Sequence, residues 1–290
     1  CIGVQMGTTV DRGQSAIFDQ ISPANLRAVT CFVRHSALLD NLADDAAAND
    51  GYDLSFEQQK LANVKAYWDR AWSNHAPEML ISDSEWSVGS GASPSEVGGI
   101  DYDHLGAGQA PSVIRLFGEL VAQGTDVASV WGATQAASSM FGTQGTQLSY
   151  GGQAFRLMAE SLVGTHLVEG NIVNGEWSSV SDQVDVVTYQ DSSKVVIFVC
   201  AEDLTVTGVD IQIDLSAFGQ LSFAWAESIR TPADLGDVHD LANMFTAQIA
   251  KTSMPIQHGA SGDSIHVDLV ADHEVVRIIQ AKATPGSGAL

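Results

Sequence analysis

The first 168 residues alternate short, nearly continuous apolar segments with stretches whose apolar residues recur at helical spacing. Four segments have the apolar character of buried strands: "CIGVQMG", "LRAVTCFVRH", "PEMLISDSEW" and "VASVWGATQ". Strands that are hydrophobic on both faces and separated by helices are typical of a parallel sheet that is covered on both sides. The pattern therefore predicts four parallel strands with helices between them.

Three helices are predicted in this half of the chain. The first runs from about Phe56 to Trp72, and the second is "PSVIRLFGELVAQG", which opens at Pro111 and closes at Gly124. Proline at the start and glycine past the end is the usual asymmetry of helix termini. The third, "GGQAFRLMAESLVG", follows the fourth strand.

From about Asn171 the hydrophobic pattern changes to a period of two. Segments such as "VDVVTYQD", "TGVDIQIDLSAF" and "SIHVDLVADHEVVRIIQ" are separated by turns rich in Gly, Asp and Ser. Alternation of this kind, with short turns, is typical of antiparallel strands that bury one face. We predict an antiparallel β-sandwich domain after the parallel sheet.

The charge of the chain restricts its partners. Its 35 acidic and 13 basic residues give a formal net charge of -22. A field of this sign repels nucleic acid and anionic membrane surfaces, so neither is expected as a partner. The sequence has no apolar run long enough for a membrane-spanning helix, for which 18 or more residues are needed.

Several common kinds of site are disfavoured by the motifs of the sequence. Cys1, Cys31 and Cys200 are isolated and lack CxxC spacing, so we expect neither a disulfide framework nor a zinc site. No GxGxxG, Walker A, GxSxG or HExxH motif occurs, which argues against nucleotide-dependent, serine-hydrolase and zinc-protease chemistry. No cofactor and no metal are expected.

Polar and aromatic residues lie where successive predicted strands end. His35, Glu85 and Trp131 each occupy such a position. In a parallel α/β barrel this edge holds the functional side chains, because the loops there vary while the strands stay packed. Retaining glycoside hydrolysis needs two carboxyl groups about 5 Å apart. Glu85 supplies one carboxylate, and Trp86 supplies a flat apolar wall for a sugar ring.

Each of these residues also has a structural alternative. For Glu85 the alternative is a solvated loop carboxylate or a residue at a helix start. For His35 it is a structural histidine bonded to the backbone, and for Trp131 it is a core residue. The apolar strand before Glu85 and the indole after it favour a functional site at that position.

The segment "LISDSEWSVG" resembles the nucleophile strand of clan A glycoside hydrolases, especially the α-L-arabinofuranosidase and β-xylosidase-like branches, where a Glu-Trp pair ends the seventh strand. "LRAVTCFVRHS" is similar to their sixth strand, and "VASVWGATQ" to their eighth. "FRLMAESLVGTHLVE" looks like the helix that leads into their C-terminal β-domain.

The resemblance implies a fold and a domain organisation. It implies about the last four strands of a partial (β/α)8 TIM barrel in residues 1–168, followed by an antiparallel β-sandwich domain in residues 169–282. Residues 283–290 would form a linker-like tail.

The resemblance also implies an activity. The chain would belong to a retaining glycosidase that acts on O-glycosidic bonds, with Glu85 as the nucleophile and a carbohydrate as the substrate. Substrate-binding residues would be His35, as a hydrogen-bonding neighbour, Trp86, Trp131, as a floor for the sugar, and Gln5, near the barrel mouth.

One part of the family's machinery has no match. The family's acid/base glutamate follows an asparagine at the end of the fourth strand, and no Asn-Glu pair occurs in this sequence. Because the chain begins at Cys1 inside a strand-like segment, we expect strands one to four, with that glutamate, to lie upstream. Half a barrel leaves an open sheet edge, so this chain alone should be poorly stable and inactive.

Two further expectations concern function and location. The alternative to an enzyme is a non-catalytic carbohydrate-binding protein with a degenerate barrel, in which the second carboxylate has been lost. Because acid-rich surfaces are common in proteins that work outside the cell, we expect an extracellular or periplasmic location.

Overall fold

The computed structural model describes most of the second half of the chain and selected elements of the first. The described ranges are 3–5, 31–38, 80–88, 106–122, 124–130, 139–142, 147–168, 184–201, 209–236, 240–260, 262–269 and 273–283. The predicted helix from Phe56 to Trp72 and the predicted site residue Trp131 lie outside them.

Four strands of the first half form one parallel sheet. Each strand pairs with the next along the chain, in the order β1-β2-β3-β4, and every pairing is parallel. This confirms the four predicted strands and their direction. Their bounds are Gly3–Gln5 (β1), Cys31–Leu38 (β2), Leu80–Val88 (β3) and Val127–Val130 (β4).

Helix α1, Gln109–Ala122, lies between β3 and β4, where the sequence predicts it. Its end is set by Gly124, which has a φ of 75°. The Gly124 amide donates to Val121 O at 2.9 Å, and the Thr125 amide donates to Leu120 O at 3.0 Å. This pair of bonds is a Schellman motif, in which amides beyond the helix satisfy the last helix carbonyls. The motif requires one residue in the left-handed conformation, which glycine adopts without strain.

Helix α2, Tyr150–Ser161, follows β4 and begins at a capped terminus. Ser149 Oγ accepts a hydrogen bond from the Gly152 amide at 3.0 Å, and Gln109 Oε1 accepts from the Gly151 amide at 3.1 Å. A Cβ at Gly151 would lie 2.6 Å from Gln109 Cδ, and one at Gly152 would collide with Met140 O. The Gly-Gly pair therefore allows the start of α2 to approach the start of α1.

The second half forms two antiparallel sheets. The larger has six strands in the order β10-β9-β13-β7-β6-β5, and the smaller has three in the order β11-β12-β8. The bounds are His166–Leu167 (β5), Val184–Gln190 (β6), Lys194–Ala201 (β7), Val209–Asp214 (β8), Leu221–Arg230 (β9), Gln248–Met254 (β10), Ile256–Gly259 (β11), Gly262–Leu269 (β12) and Glu274–Ala283 (β13).

The two antiparallel sheets share a buried hydrophobic cluster. Ile197 and Ala226 of the larger sheet share one buried cluster with Ile213 and Val267 of the smaller sheet. The opposite face of the larger sheet packs on the helices: Phe198 and its neighbours share a second cluster with residues of α1 and α2. The larger sheet is thus buried on both faces, which explains the continuous apolar run of β7, "KVVIFVCA".

Three strands of the antiparallel sheets, β5, β10 and β11, are not indicated by the hydrophobic pattern. β10, "QIAKTSM", and β11, "IQHG", are mostly exposed and lack a regular alternation. Among the described strands, each is the outermost of its sheet and pairs on one side. The pairing of β10 with β9 and of β11 with β12 defines them.

The sheets continue across the predicted domain boundary. β5, His166–Leu167, precedes residue 169 but pairs with β6 of the six-stranded sheet. Cys200 is buried, as expected for a core cysteine. Among the helices of the described ranges, none is long and apolar enough to cross a lipid bilayer.

Candidate functional site

The carboxyl-terminal part of the parallel sheet brings predicted site residues together. In the register of β2 and β3, His35 pairs with Glu85 and Ser36 pairs with Trp86. Neighbouring strands lie about 4.8 Å apart, so the backbones of His35 and Glu85 are adjacent. His35 and Glu85 each lie three residues before the end of their strand, at Leu38 and Val88, so both positions lie toward the carboxyl edge of the sheet, where the functional residues of parallel α/β barrels are found.

The other predicted site residues lie along or beyond the same sheet. Gln5 is the last residue of β1 and pairs with Val33, two residues before His35. Trp131 directly follows Val130, the last residue of β4, and is not among the described residues. For Gln5, His35 and Glu85 the structure describes the backbone.

A β-bulge interrupts β3 directly before Glu85. Relative to β2, the pairing moves from Arg34 with Asp83 to His35 with Glu85, so β3 contains one additional residue. The pairing with β4 shows the same irregularity. From the pair Asp83–Ala128 to the pair Trp86–Val130, β3 advances by three residues and β4 by only two. Bulges redirect side chains because an extra residue reverses the alternation of faces beyond it, and they are common next to active sites.

The side chain of Trp86 lies in the core and contacts the helices. The residue is 1% exposed. Its ring centroid is 6.0 Å from that of Phe117 on α1 and 6.3 Å from that of Phe155 on α2, both in tilted arrangements. Offset and tilted aromatic pairs at these distances are attractive. This burial argues against the predicted role of Trp86 as a wall for a sugar ring and supports a packing role instead.

Asp83 is a buried carboxylate that the sequence analysis does not single out. It is 0% exposed and lies one step before the bulge, in register with Arg34 on β2 and Ala128 on β4. A charged group without solvent is costly unless it has partners. The signal in the sequence is an aspartate inside an apolar strand, "LISDSEW". We therefore assign Asp83 to the buried part of the sheet that supports its carboxyl edge.

Polar contacts attach both helices to the sandwich. Arg115 of α1 forms an ion pair with Asp185 of β6. Arg156 of α2 contacts Glu227 of β9 at 2.8 Å, and Lys251 of β10 contacts the same carboxylate at 3.1 Å. These contacts connect the helices on which Trp86 packs to the second half of the chain.

The carboxyl group of Glu227 is shifted toward its charged form. Burial by itself would raise its pKa, but hydrogen bonds and charge interactions with Arg156 and Lys251 outweigh burial and lower the pKa below its ordinary value. The group is 2% exposed, so the interactions are weakly screened. We assign this cluster to structural attachment.

The described part of the chain offers no donor set for a metal ion. Within those residues no group of three or more His, Cys, Asp or Glu side chains lies close enough together to hold one.

Comparison with known proteins identifies the fold. No protein-family model matches the sequence. A search of curated proteins finds no match either. Among solved structures, the GH51 arabinofuranosidase from Xanthomonas axonopodis pv. citri matches with a TM-score of 0.61 and 11% identity, over 97% of this chain and 58% of that chain.

Two further solved structures give the same result. A family 51 α-L-arabinofuranosidase from Bifidobacterium longum matches with a TM-score of 0.61 and 13% identity, over 95% of this chain and 57% of that chain. A GH30 endoxylanase from Clostridium papyrosolvens matches with a TM-score of 0.51 and 12% identity, over 98% of this chain and 56% of that chain.

These matches confirm the predicted resemblance to clan A glycosidases at the level of the fold. The chain is similar to them over nearly its whole length but spans less than two thirds of each. At identities of 11–13% the similarity concerns architecture rather than particular residues.

Proposed function

We propose that this chain is part of a retaining glycoside hydrolase that acts on O-glycosidic bonds of a poly- or oligosaccharide, with Glu85 as the nucleophile. The observation that carries the proposal is the register of β2 and β3, in which Glu85 directly follows a bulge and pairs with His35 near the carboxyl ends of both strands. The fold shared with arabinofuranosidases and xylanases supports the substrate class.

The faces of β3 support the same assignment. Trp86 and Val88 are buried in the cluster that contains α1 and α2. Since successive residues of a strand alternate between faces, position 85 falls on the face opposite Trp86, away from the helices. In a barrel that face is the interior, which opens at the carboxyl ends of the strands.

The proposed architecture is the later half of an eight-stranded barrel. The four parallel strands would be strands five to eight in residues 1–168, with the sandwich in 169–282 and a tail in 283–290. The coverage of 58% and 57% of two solved arabinofuranosidases is the share expected for half a barrel plus a β-domain. The location we propose is extracellular or periplasmic.

The proposed mechanism has two steps. The Glu85 carboxylate attacks the anomeric carbon, the glycosidic bond breaks as its oxygen receives a proton, and water then hydrolyses the glycosyl-enzyme ester. His35 would hold the nucleophile or a sugar hydroxyl by hydrogen bonding, and Gln5 and Trp131 would contact the sugar. The acid/base carboxylate would come from strand four, upstream of Cys1.

A fluorinated glycoside with an activated leaving group provides the test. Such a reagent forms the covalent ester without proton donation to the leaving group, so labelling depends on the nucleophile and not on the acid/base residue. We expect 2-deoxy-2-fluoro-xylosyl or arabinofuranosyl fluoride to label Glu85 in the protein that includes strands one to four, as peptide mapping by mass spectrometry would show.

Two variants serve as controls for the labelling. Glu85→Gln should abolish it, whereas Trp86→Phe should retain it because the ring lies on the other face. A label on any other residue would refute the assignment. Sugar binding without any label, in a protein that lacks a second carboxylate, would favour the non-catalytic binding protein instead.

A further inference from the structure

A polar groove lies on the outer face of the three-stranded sheet, on elements separate from the strand ends that carry Glu85. Its volume is about 440 Å3, within the range of roughly 300–1,000 Å3 that is usual for small-ligand sites. The side chains that line it include Gln212 and Asp214 of β8, Gln257 of β11 and Ser264 of β12.

The alternation of β8 and β12 directs these side chains away from the core. Ile211 and Ile213 are buried in the sandwich, while Gln212 and Asp214, at the intervening positions, are exposed. Ile265 is likewise fully buried next to Ser264. Gln257, Ser264 and Asp214 are consecutive partners across β11, β12 and β8, so they form one polar row on the outer face.

Hydrogen bonds hold the polar row in place without using all of its capacity. Gln212 Nε2 donates to Ser264 Oγ at 2.8 Å and to Gln257 Oε1 at 3.3 Å, and the Ser216 amide donates to Asp214 Oδ1 at 2.8 Å. Within the described ranges, Gln212 Oε1, Asp214 Oδ2 and Gln257 Nε2 make no further bond. The polar row and the adjacent Gln212 therefore present Gln212 Oε1 and Asp214 Oδ2 as acceptors and Gln257 Nε2 as a donor.

The hairpin between β11 and β12 forms a rigid end of the groove. Asp263 is 4% exposed, accepts from the Leu221 amide at 2.7 Å and pairs with His258 Nδ1 at 2.8 Å. Gly262 has a φ of 133°, and a Cβ there would collide with Ser216. These contacts preorganise the groove, which lowers the entropy that a ligand would lose on binding.

We propose that this groove binds a neutral sugar unit of a polysaccharide, separately from the proposed catalytic edge. A sugar hydroxyl both donates and accepts hydrogen bonds, and the polar row offers both kinds of partner. The net charge of -22 and the carboxylates of the lining disfavour an anionic ligand. The choice of a sugar rests on the proposed function.

Isothermal titration of the Glu85→Gln chain with xylohexaose and with arabinohexaose tests this proposal. The Glu85→Gln background prevents turnover, so the heat reports binding alone. The test variant is the double substitution Gln212→Ala/Gln257→Ala, and the matched control is Gln248→Ala, an exposed glutamine on β10 outside the groove. Melting curves of each variant verify that the exposed substitutions leave the fold intact.

We expect at least one oligosaccharide to bind and the double variant to weaken that binding by roughly 10-fold or more, with the control unchanged. The magnitude corresponds to two lost hydrogen bonds of roughly threefold each. Equal dissociation constants for all variants, or no binding of either sugar, would overturn the groove proposal. Introduced into the protein that retains Glu85, the same double substitution should leave the labelling of Glu85 unaffected, so failure of the groove and failure of the catalytic assignment are distinguishable.

Discussion

Replacement of Trp86 by alanine should destabilise the protein and leave its sugar contacts unchanged. The ring is 1% exposed and lies between Phe117 and Phe155, on the two helices that cover the sheet. Removal of a fully buried tryptophan costs about 3–5 kcal/mol through lost transfer energy and the cavity that remains. Because whole domains are stable by only about 5–15 kcal/mol, roughly a fifth or more of the stability would be lost.

Urea denaturation followed by circular dichroism measures this loss. We expect a lower denaturation midpoint with an unchanged slope, and a melting temperature lower by roughly 10 °C. Trp225→Ala is the matched control, since Trp225 is only partly buried and carries Lys251 Nζ at 5.7 Å from its ring centre. That control should cost about 1 kcal/mol.

The opposite result would refute the packing role of Trp86. If Trp86→Ala melted within about 1 °C of the parent chain but lost affinity for an oligosaccharide, the ring would be a sugar contact after all. The assignment of position 85 to the interior face of the sheet would then fail as well, because it depends on the burial of Trp86 on the helix-facing side.

Three other predictions concern the bulge, the ion-pair cluster and a glycine. Deletion of Ser84, the extra residue of the bulge, should restore regular pairing of β3 and leave Glu85 opposite His35 on the same face, so covalent labelling should be retained, as in Ser87→Ala; loss of labelling in the deletion variant would refute the face assigned to position 85. Glu227 stabilises the fold above its ordinary pKa of 4.5, and this contribution should decrease as pH falls below that value through the lowered folded-state pKa. The melting temperature of Glu227→Gln should therefore decrease less on acidification than that of the parent chain. The substitution should also lower the free energy of unfolding by about 2 kcal/mol at pH 7. An equal decrease of the melting temperature in acid for both proteins would contradict this prediction. Gly152→Ala should cost at least 2 kcal/mol because its Cβ would meet Met140 O, and a melting temperature equal to that of the parent would contradict the close approach.

Much of the architecture follows from local hydrophobic patterns. The four apolar segments of the first half are all strands, they are parallel, and they neighbour one another in chain order. Helix α1 ends where Pro111 and Gly124 indicate. These features are predictable because strand burial on two faces and helix capping both depend on residues close together in sequence.

Other elements depend on partners that are distant in sequence. β10 and β11 have little alternation because each lies at the edge of a sheet, and only pairing with β9 and β12 makes them strands. The attachment of α2 to the sandwich requires Arg156 and Glu227, which are 71 residues apart. No local pattern indicates contacts of this range, since the geometry that creates them exists only after the sheets have packed.

The candidate site shows the same division. The order of residues is sufficient to predict that Glu85 and His35 lie on neighbouring parallel strands, because strand direction and chain order follow from the repeating β-α-β pattern. Both strands continue for three residues beyond these positions, to Leu38 and Val88, which the sequence does not indicate. Sequence adjacency, however, suggested a common role for Glu85 and Trp86, whereas the tertiary structure buries Trp86 against the helices. Neighbours along a strand lie on opposite faces, and the one-residue bulge determines which of them turns toward the helices.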